Sequence, residues 1–156
     1  MVNHDLFLDL ADAYAWRSTC LRRRFGCVII DPRFNDPICG GFNGSPCGME
    51  HCTDLNVCIR EELNVKQGER YELCRSAHSE QNALIKAGNR SFNCDLYLVG
   101  WDAQTNKQIN PKPCFLCTKL MINARIRKVV TRYCIYDPVE LYYAYISNLK
   151  SPVFDP

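Results

Sequence analysis

Residues 76–83 read Ser-Ala-His-Ser-Glu-Gln-Asn-Ala, and residues 113–117 read Pro-Cys-Phe-Leu-Cys. The first stretch contains a His-x-Glu motif and the second a Pro-Cys-x-x-Cys motif. Thiolates and imidazoles are ligands that zinc prefers, and a site with three protein ligands keeps a fourth position open for water. The two motifs together predict one catalytic zinc site with His78, Cys114 and Cys117 as its ligands.

Each motif is predicted to lie at the beginning of a helix. Cys114 and Cys117 are three residues apart, so a helix that begins near Pro113 places both on one face of its first turn. The free amides and the positive end of the helix dipole favour thiolates there, and Pro113 suits the first turn because it lacks an N–H. A second helix is predicted from 78 to about 87, where glycine follows.

Glu80 is predicted to carry protons rather than to bind the metal. Two residues after His78, its carboxylate can point toward a metal-bound water and move protons between that water and a substrate. The alternative for these motifs is a surface His–Glu pair and two ordinary buried thiols. The occurrence of both motifs in one chain favours the zinc site.

The composition bounds the class of protein. A length of 156 residues suits a single domain, 1–156, and 47% hydrophobic with 23% charged residues is ordinary for a globular chain. No apolar run approaches the roughly 20 residues of a membrane span, and no signal peptide is evident. A net charge of +2 gives little support to a nucleic-acid surface, although residues 22–24 form a basic patch. We therefore expect neither a membrane nor a nucleic-acid partner.

The chain has eleven cysteines. In the absence of a signal peptide, their clustering with histidines favours metal binding in a reducing compartment, and hence a cytoplasmic location. Four of them lie in or beside predicted strands and are interpreted as small core residues: Cys27, Cys39, Cys94 and Cys134.

Alternating strands and helices predict a three-layer α/β domain. An amphipathic helix is predicted over 5–17, a hairpin from strands 27–30 and 37–42, and further strands over 95–99 and 127–131. A last helix is predicted over 138–149, with Asp137 as its N-cap. Its apolar residues extend beyond what one sheet needs, through Tyr142, Tyr143 and Ile146, which indicates a subunit contact.

The two motifs, together with Arg17-Ser18-Thr19-Cys20, Gly26-Cys27-Val28-Ile29 and Gly41-Phe42-Asn43-Gly44-Ser45-Pro46, resemble the zinc-dependent deoxycytidylate (dCMP) deaminases. The resemblance spans about residues 5 to 145. It implies a three-layer α/β/α cytidine deaminase-like fold with a mixed sheet. It also implies hydrolysis of dCMP to dUMP and ammonia, which supplies dUMP for thymidylate synthesis. Zinc would then activate the water that attacks C4 of cytosine, with Glu80 carrying the protons.

The resemblance also implies four substrate-binding residues. Asn43 would contact the sugar; the alternative is a glycine-rich turn in which Asn43 is left-handed. Tyr136 would line the cytosine pocket, with Tyr133 as the competing choice and a core role as the alternative for either. Arg22 would hold the 5′-phosphate, the alternative being a solvated basic face. Ala77 completes the set, and Phe42 stands where relatives have tyrosine.

An insertion at about 47–75 separates the hairpin from the helix at 78. It is too polar to bury much by itself, so a cross-link by tetrahedral zinc is expected to order it. Many relatives carry a second, structural zinc here, and the best match to their ligands is Cys20, Cys52, Cys58 and Cys74, with His51 and Cys47 in reserve. The alternative is a set of unliganded thiols.

The resemblance further implies a homo-oligomer, often a hexamer, that responds to dCTP and dTTP between subunits. Two other functions remain open. The same zinc core serves deaminases of dCTP, cytidine or tRNA adenosine, and a non-catalytic zinc module that binds nucleic acid is the other alternative. The Asn43 motif and the insertion favour dCMP, and Glu80 favours a catalytic zinc.

Overall fold

A computed structural model describes residues 3–149. Its sheet has six strands, which are β1 (Arg23–Asp31), β2 (Asp36–Phe42), β3 (Asp95–Asp102), β4 (Gln108–Ile109), β5 (Lys128–Val130) and β6 (Ile135–Tyr136). Their order in the sheet is β2-β1-β3-β5-β6, and β4 pairs with β3. β3 and β5 are parallel, and the other pairs are antiparallel. The predicted domain limits, residues 1 and 156, lie outside the described residues.

Six α-helices connect or flank these strands in the described part of the chain. None of them is long and apolar enough to cross a membrane. The helices are α1 (His4–Ala15), α2 (Cys52–Leu55), α3 (Ile59–Glu62), α4 (Ser79–Ala87), α5 (Phe115–Asn123) and α6 (Pro138–Asn148).

Side chains alternate along β1, and this alternation separates two cores. Val28 and Ile30 pack in the core formed with α1. Cys27 and Ile29 point to the opposite face and pack in the core formed with α4 and α5. Helices therefore cover both faces of a mixed sheet, and the predicted three-layer α/β/α architecture is confirmed.

The longer predicted elements are confirmed within a few residues, but two strands were not predicted. β4 and β6 have two residues each, too few for an alternating pattern to appear in the sequence. Each is formed by pairing with a longer neighbour, β4 with β3 and β6 with β5.

Two details of the predicted helices have different outcomes. Asp137 is the N-cap of α6, since its side chain accepts from the N–H groups of Val139 and Glu140, as predicted. The placement of Pro113 in the first turn of α5 is wrong. Cys114 is the N-cap residue, and its sulfur accepts from the N–H of Cys117, so the helix begins after the cysteine.

The prediction for the strand cysteines is mostly confirmed. Cys27 and Cys94 are buried in the core, and Cys39 packs against it. Cys134 is half-buried in the turn between β5 and β6, beside Thr131. A core position for Cys134 is therefore wrong, because the turn lifts it off the sheet.

Gly26 allows α1 to approach β1 closely. A Cβ at Gly26 would lie 2.1 Å from the carbonyl oxygen of Ala11 and 2.3 Å from the amide nitrogen of Ala15. We expect Gly26→Ala to lower the free energy of unfolding by about 3 kcal/mol, because helix backbone would have to move. Urea denaturation measures this.

Gly48→Ala is the control for that experiment. A Cβ at Gly48 meets no atom within 4 Å, so its effect comes only from a φ of +79°, which corresponds to about 1 kcal/mol. Equal losses for the two variants would contradict the close packing of α1 on β1.

Candidate active site

Strand direction brings the beginnings of α4 and α5 together. β2 and β3 are both antiparallel to β1, and β5 is parallel to β3, so β2, β3 and β5 run in one direction. Ala77, just before α4, pairs with Gly44, just past the end of β2, and α5 follows β3 after the short β4. Both helices therefore begin at the carboxyl edge of these strands, where open α/β sheets place their ligands.

Three of the predicted site residues meet at this edge. His78 is the N-cap residue of α4, and Cys114 is the N-cap residue of α5. His78 Nδ1 lies 3.4 Å from the sulfur of Cys114 and 3.4 Å from the sulfur of Cys117. The three potential ligand atoms all lie within 4.8 Å of one another.

The spacing and the charge of this group suit zinc. Zinc–nitrogen and zinc–sulfur bonds in a tetrahedral site place the two ligand atoms about 3.6 Å apart, close to the spacing found here. Hydrogen bonds with Cys117 and His78 lower the pKa of Cys114 to about 4 in spite of its burial. The bond to Cys114 and burial raise the pKa of Cys117. Two thiolates and a neutral imidazole would balance the charge of a divalent cation bound at this spacing.

Glu80 lies beside this group in the first turn of α4. Its side chain is 5% exposed, and its Oε2 accepts a hydrogen bond from Ser79 Oγ at 2.9 Å. Burial raises the pKa of the Glu80 carboxyl, although the nearby His78 and the bond from Ser79 act in the opposite direction. A carboxyl with a raised pKa is suited to accept and return a proton near neutral pH.

The site opens into a cavity of about 240 Å³. Ligand pockets typically have roughly 300 to 1,000 Å³, so this cavity suits one small molecule. His78, Glu80 and Cys114 form part of its wall. The other walls carry four cationic side chains and two aromatic ones, which are Arg22, Arg23, Arg60, Lys112, Phe25 and Tyr71. This combination suits an anionic ligand with a flat ring.

The predicted substrate contacts divide into two pairs. Arg22 and Asn43 line the cavity, whereas Ala77 and Tyr136 are not among its lining residues. Both backbone polar groups of Ala77 bond to Gly44. Tyr136 packs against the core, with its hydroxyl 3.4 Å from Asn110 Oδ1. The competing choice, Tyr133, is exposed.

Asn43 hydrogen-bonds to the backbone at the beginning of β1, beside the cavity. It is 5% exposed; its Oδ1 accepts from the N–H of Phe25 at 2.7 Å, and its Nδ2 donates to the carbonyl of Arg23 at 2.9 Å. Its φ is not positive, so the alternative of a left-handed turn at Asn43 is wrong. The residue positions backbone in addition to lining the cavity.

The four predicted ligands of a second zinc lie in one region but are not drawn together. Burial, followed by the charges of the other three thiols, raises the pKa of Cys52. Cys20, Cys58 and Cys74 also line the cavity. In the described ranges, however, only the His78 group has three ligand atoms mutually within 4.8 Å. Of the reserves, His51 hydrogen-bonds Thr19 and Cys47 is exposed.

Tyr71 and Arg60 are among the cavity residues that sequence reasoning did not find. The Tyr71 ring meets the His78 ring edge-on, with centroids 5.1 Å apart. The guanidinium of Arg60 lies over the Tyr71 ring, 5.0 Å from the ring centroid. Both belong to the polar insertion, where one arginine and one tyrosine among many polar residues give no signal of their position.

Comparison with known proteins places the chain among deaminases. The family model for the cytidine and deoxycytidylate deaminase zinc-binding region matches residues 1–133. The deoxycytidylate deaminase of Schizosaccharomyces pombe is 32% identical over 124 residues, which are 80% of this chain and 35% of that protein. The deoxycytidylate deaminase of Mycobacterium phage D29 is 28% identical over 131 residues, 81% of this chain and 91% of that protein.

The chain thus spans about a third of the length of the S. pombe relative. Among solved structures, the dCMP deaminase of cyanophage S-TIM5 in complex with dCMP and dUMP has a TM-score of 0.61 and 21% identity. That match covers 90% of this chain and 89% of the other. A cytidine deaminase from Burkholderia pseudomallei has a TM-score of 0.57 and 14% identity, with 89% and 95% covered. These similarities confirm the predicted fold.

The His78 group generates a prediction about metal content. We expect His78→Ala to retain one zinc per chain fewer than the unchanged protein after dialysis, because the remaining two thiols make an incomplete site. Elemental analysis measures this. Cys134→Ala, which removes a thiol far from the cavity wall, is expected to leave the zinc content unchanged. Equal zinc in all three proteins would show that this group does not hold the metal.

Proposed function

The chain belongs to the cytidine and deoxycytidylate deaminase family, and we propose that it hydrolyses dCMP to dUMP and ammonia. The observation that carries the proposal is the meeting of His78, Cys114 and Cys117 beside the buried Glu80, at the wall of a cavity with cationic side chains. The S. pombe and phage D29 relatives, both deoxycytidylate deaminases, support this substrate over other cytosine compounds.

We assign the zinc ligands to His78, Cys114 and Cys117. Zinc bound there would lower the pKa of a water molecule, so that it could act as a nucleophile near neutral pH. Glu80 accepts a proton from the water as its oxygen bonds to C4 of cytosine, and donates that proton to N3. Glu80 then transfers the remaining proton of the added hydroxyl group to the amino group, and the C4–N bond breaks to release ammonia. Ser79 Oγ binds Oε2 of Glu80 at 2.9 Å, which orients the carboxyl and leaves Oε1 for these transfers.

Glu80→Gln tests the chemistry. The amide keeps the size of the side chain but cannot carry a proton, so we expect kcat/KM for dCMP to fall about 10²- to 10⁴-fold while the zinc content stays the same. Ammonia release from the zinc-loaded protein is measured with dCMP, dCTP, deoxycytidine and cytidine. Glu62→Gln, on the exposed side of α3, is the control and should retain activity. If the unchanged protein deaminates none of the four compounds, the proposed function is wrong.

We also propose that Cys20, Cys52, Cys58 and Cys74 hold a second, structural zinc. Their mutual electrostatic effect on Cys52 supports this set. Three of them lie at the ends of short elements: Cys52 begins α2, Cys58 is the N-cap residue of α3, and Cys74 follows a short 3₁₀ turn. Cys20 lies between α1 and β1. Zinc-bound sulfurs lie about 3.8 Å apart, so binding draws these thiols closer and orders the insertion.

The second zinc has its own test. We expect two zinc ions per chain in the unchanged protein and one in Cys58→Ser, with a lower melting temperature for that variant because structural zinc contributes folding free energy. Elemental analysis and thermal denaturation measure the two effects. Cys47→Ser, at an exposed thiol, is the control. Two zinc ions retained in Cys58→Ser would refute this ligand set.

We propose in addition that the protein acts as a homo-oligomer that responds to dCTP and dTTP. Exposed apolar side chains on α5 and α6 support a subunit contact, and they are Leu116, Leu120, Val139, Tyr143 and Ile146. Phe42, in the motif where relatives sense effectors, lies between Arg17 and Lys86, whose charged groups are 4.8 Å and 5.8 Å from its ring centroid. Eleven unpaired cysteine thiols support a reducing, cytoplasmic location.

A further inference from the structure

Arg60 is a buried cation in the wall of the cavity. It is 7% exposed and lies on the short helix α3. Its Nη2 donates to the carbonyl oxygen of Lys66 at 2.8 Å, and its Nε is buried without a hydrogen-bond partner. A buried donor without a partner is unfavourable, and a buried charged donor is more so. The guanidinium therefore has hydrogen-bonding capacity that the protein itself does not use.

The charge of Arg60 is also not balanced by the protein. Across residues 3–149, no carboxylate oxygen lies within 4.0 Å of its guanidinium nitrogens. Arginine stays protonated at any ordinary pH, so its side chain cannot avoid the cost of a buried charge by losing its proton. The other two arginines of the cavity wall differ, because Arg22 Nε pairs with Glu61 Oε1 at 3.3 Å and Arg23 pairs with Asp102. Arg60 is thus the cavity arginine that most needs an anion.

Tyr71 lies between Arg60 and His78 and so sets the position of Arg60 relative to the proposed zinc ligands. The Tyr71 ring contacts the Arg60 guanidinium on one side and the His78 ring on another, with distances of 5.0 Å and 5.1 Å. Stacking on an aromatic ring holds the guanidinium plane, while its planar fork suits two oxygens of a phosphate. A ligand that fits both ends of this row therefore has a ring beside His78 and an anionic group beside the Arg60 guanidinium.

We propose that Arg60 binds the 5′-phosphate of the substrate and makes the site select a nucleoside monophosphate over the free nucleoside. This inference rests on the proposed function for the identity of the base, but the choice of residue comes from the burial and unused donor of Arg60. It differs from the sequence-based expectation, in which Arg22 holds the phosphate. Arg22, already paired with Glu61, contributes a partly neutralised charge beside it.

The test compares two substrates that differ only in the phosphate. We expect Arg60→Gln to lower kcat/KM for dCMP about 10²-fold, mainly through KM, because a charge-assisted hydrogen bond to the phosphate is lost. The low kcat/KM for deoxycytidine should change less than about 3-fold. Arg70→Gln is the matched control: it removes an arginine from the same insertion, where Arg70 pairs with Glu72 away from the cavity wall, and should leave both substrates unaffected.

A structural role for Arg60 would give a different result. If kcat/KM for dCMP and for deoxycytidine fell by the same factor, or if neither changed, the proposal would be overturned. Should Arg60→Gln fail to fold, Arg60→Lys keeps the charge and much of the packing but loses the planar fork. We expect it to lower kcat/KM for dCMP about 10-fold while deoxycytidine is unaffected, and an equal loss for both would again overturn the proposal.

Binding separates this inference from the proposed function. Titration calorimetry with dCMP and with deoxycytidine, carried out on proteins that also carry Glu80→Gln, measures binding without turnover. If the zinc-loaded protein deaminates nothing but binds dCMP at least about 10-fold more tightly than Arg60→Gln does, the proposed function fails and the role of Arg60 stands. If dCMP is deaminated but bound equally by the two proteins, the function stands and the role of Arg60 fails.

Discussion

The close approach of one imidazole and two thiols is the interaction on which the rest of this structure depends. His78, Cys114 and Cys117 lie at the first residues of two helices, and those helices begin at one edge of the sheet because β2, β3 and β5 share a direction. Hydrogen bonds with Cys117 and His78 lower the pKa of Cys114, whereas the bond to Cys114 and burial raise the pKa of Cys117. A divalent cation bound to the three ligand atoms would stabilise both cysteines as thiolates.

Packing against the sheet holds the two helices in register with the site. α4 lies against β2 at Gly41, where a Cβ would be 2.3 Å from the carbonyl oxygen of Ser79. Gly41 thus allows α4, which has His78 as its N-cap and Glu80 in its first turn, to pack closely on β2. The next residue but one, Asn43, binds the backbone of β1. Residues 41–44, which resemble a substrate-binding motif, therefore also have a structural role, since they pack the hairpin of β1 and β2 against α4.

The insertion completes the cavity from the opposite side. It supplies Arg60 and Tyr71, and it carries three of the cysteines proposed for the structural zinc. Its helices have four residues or fewer, so they are too short to be stable without tertiary contacts. The order of the insertion and the shape of the anion-binding end of the cavity are therefore linked. A zinc ion that held the cysteines in place would also hold the Arg60 guanidinium and the Tyr71 ring that packs on it.

By itself the sequence determined what depends on local chemistry: the long strands and helices through their periodicity, and the cap at Asp137. The spacing of its two motifs also identified the residues that we propose as zinc ligands, together with Glu80. The predicted beginning of α5 near Pro113 was two residues too early, because Cys114 caps the helix and its first residue is Phe115. Only the tertiary structure decided the pairing of β4 and β6, the distance of Tyr136 and Ala77 from the cavity wall, and the stack of Arg60 on Tyr71. Such contacts join residues far apart in the chain through packing and charge balance, and no local period or spacing encodes them.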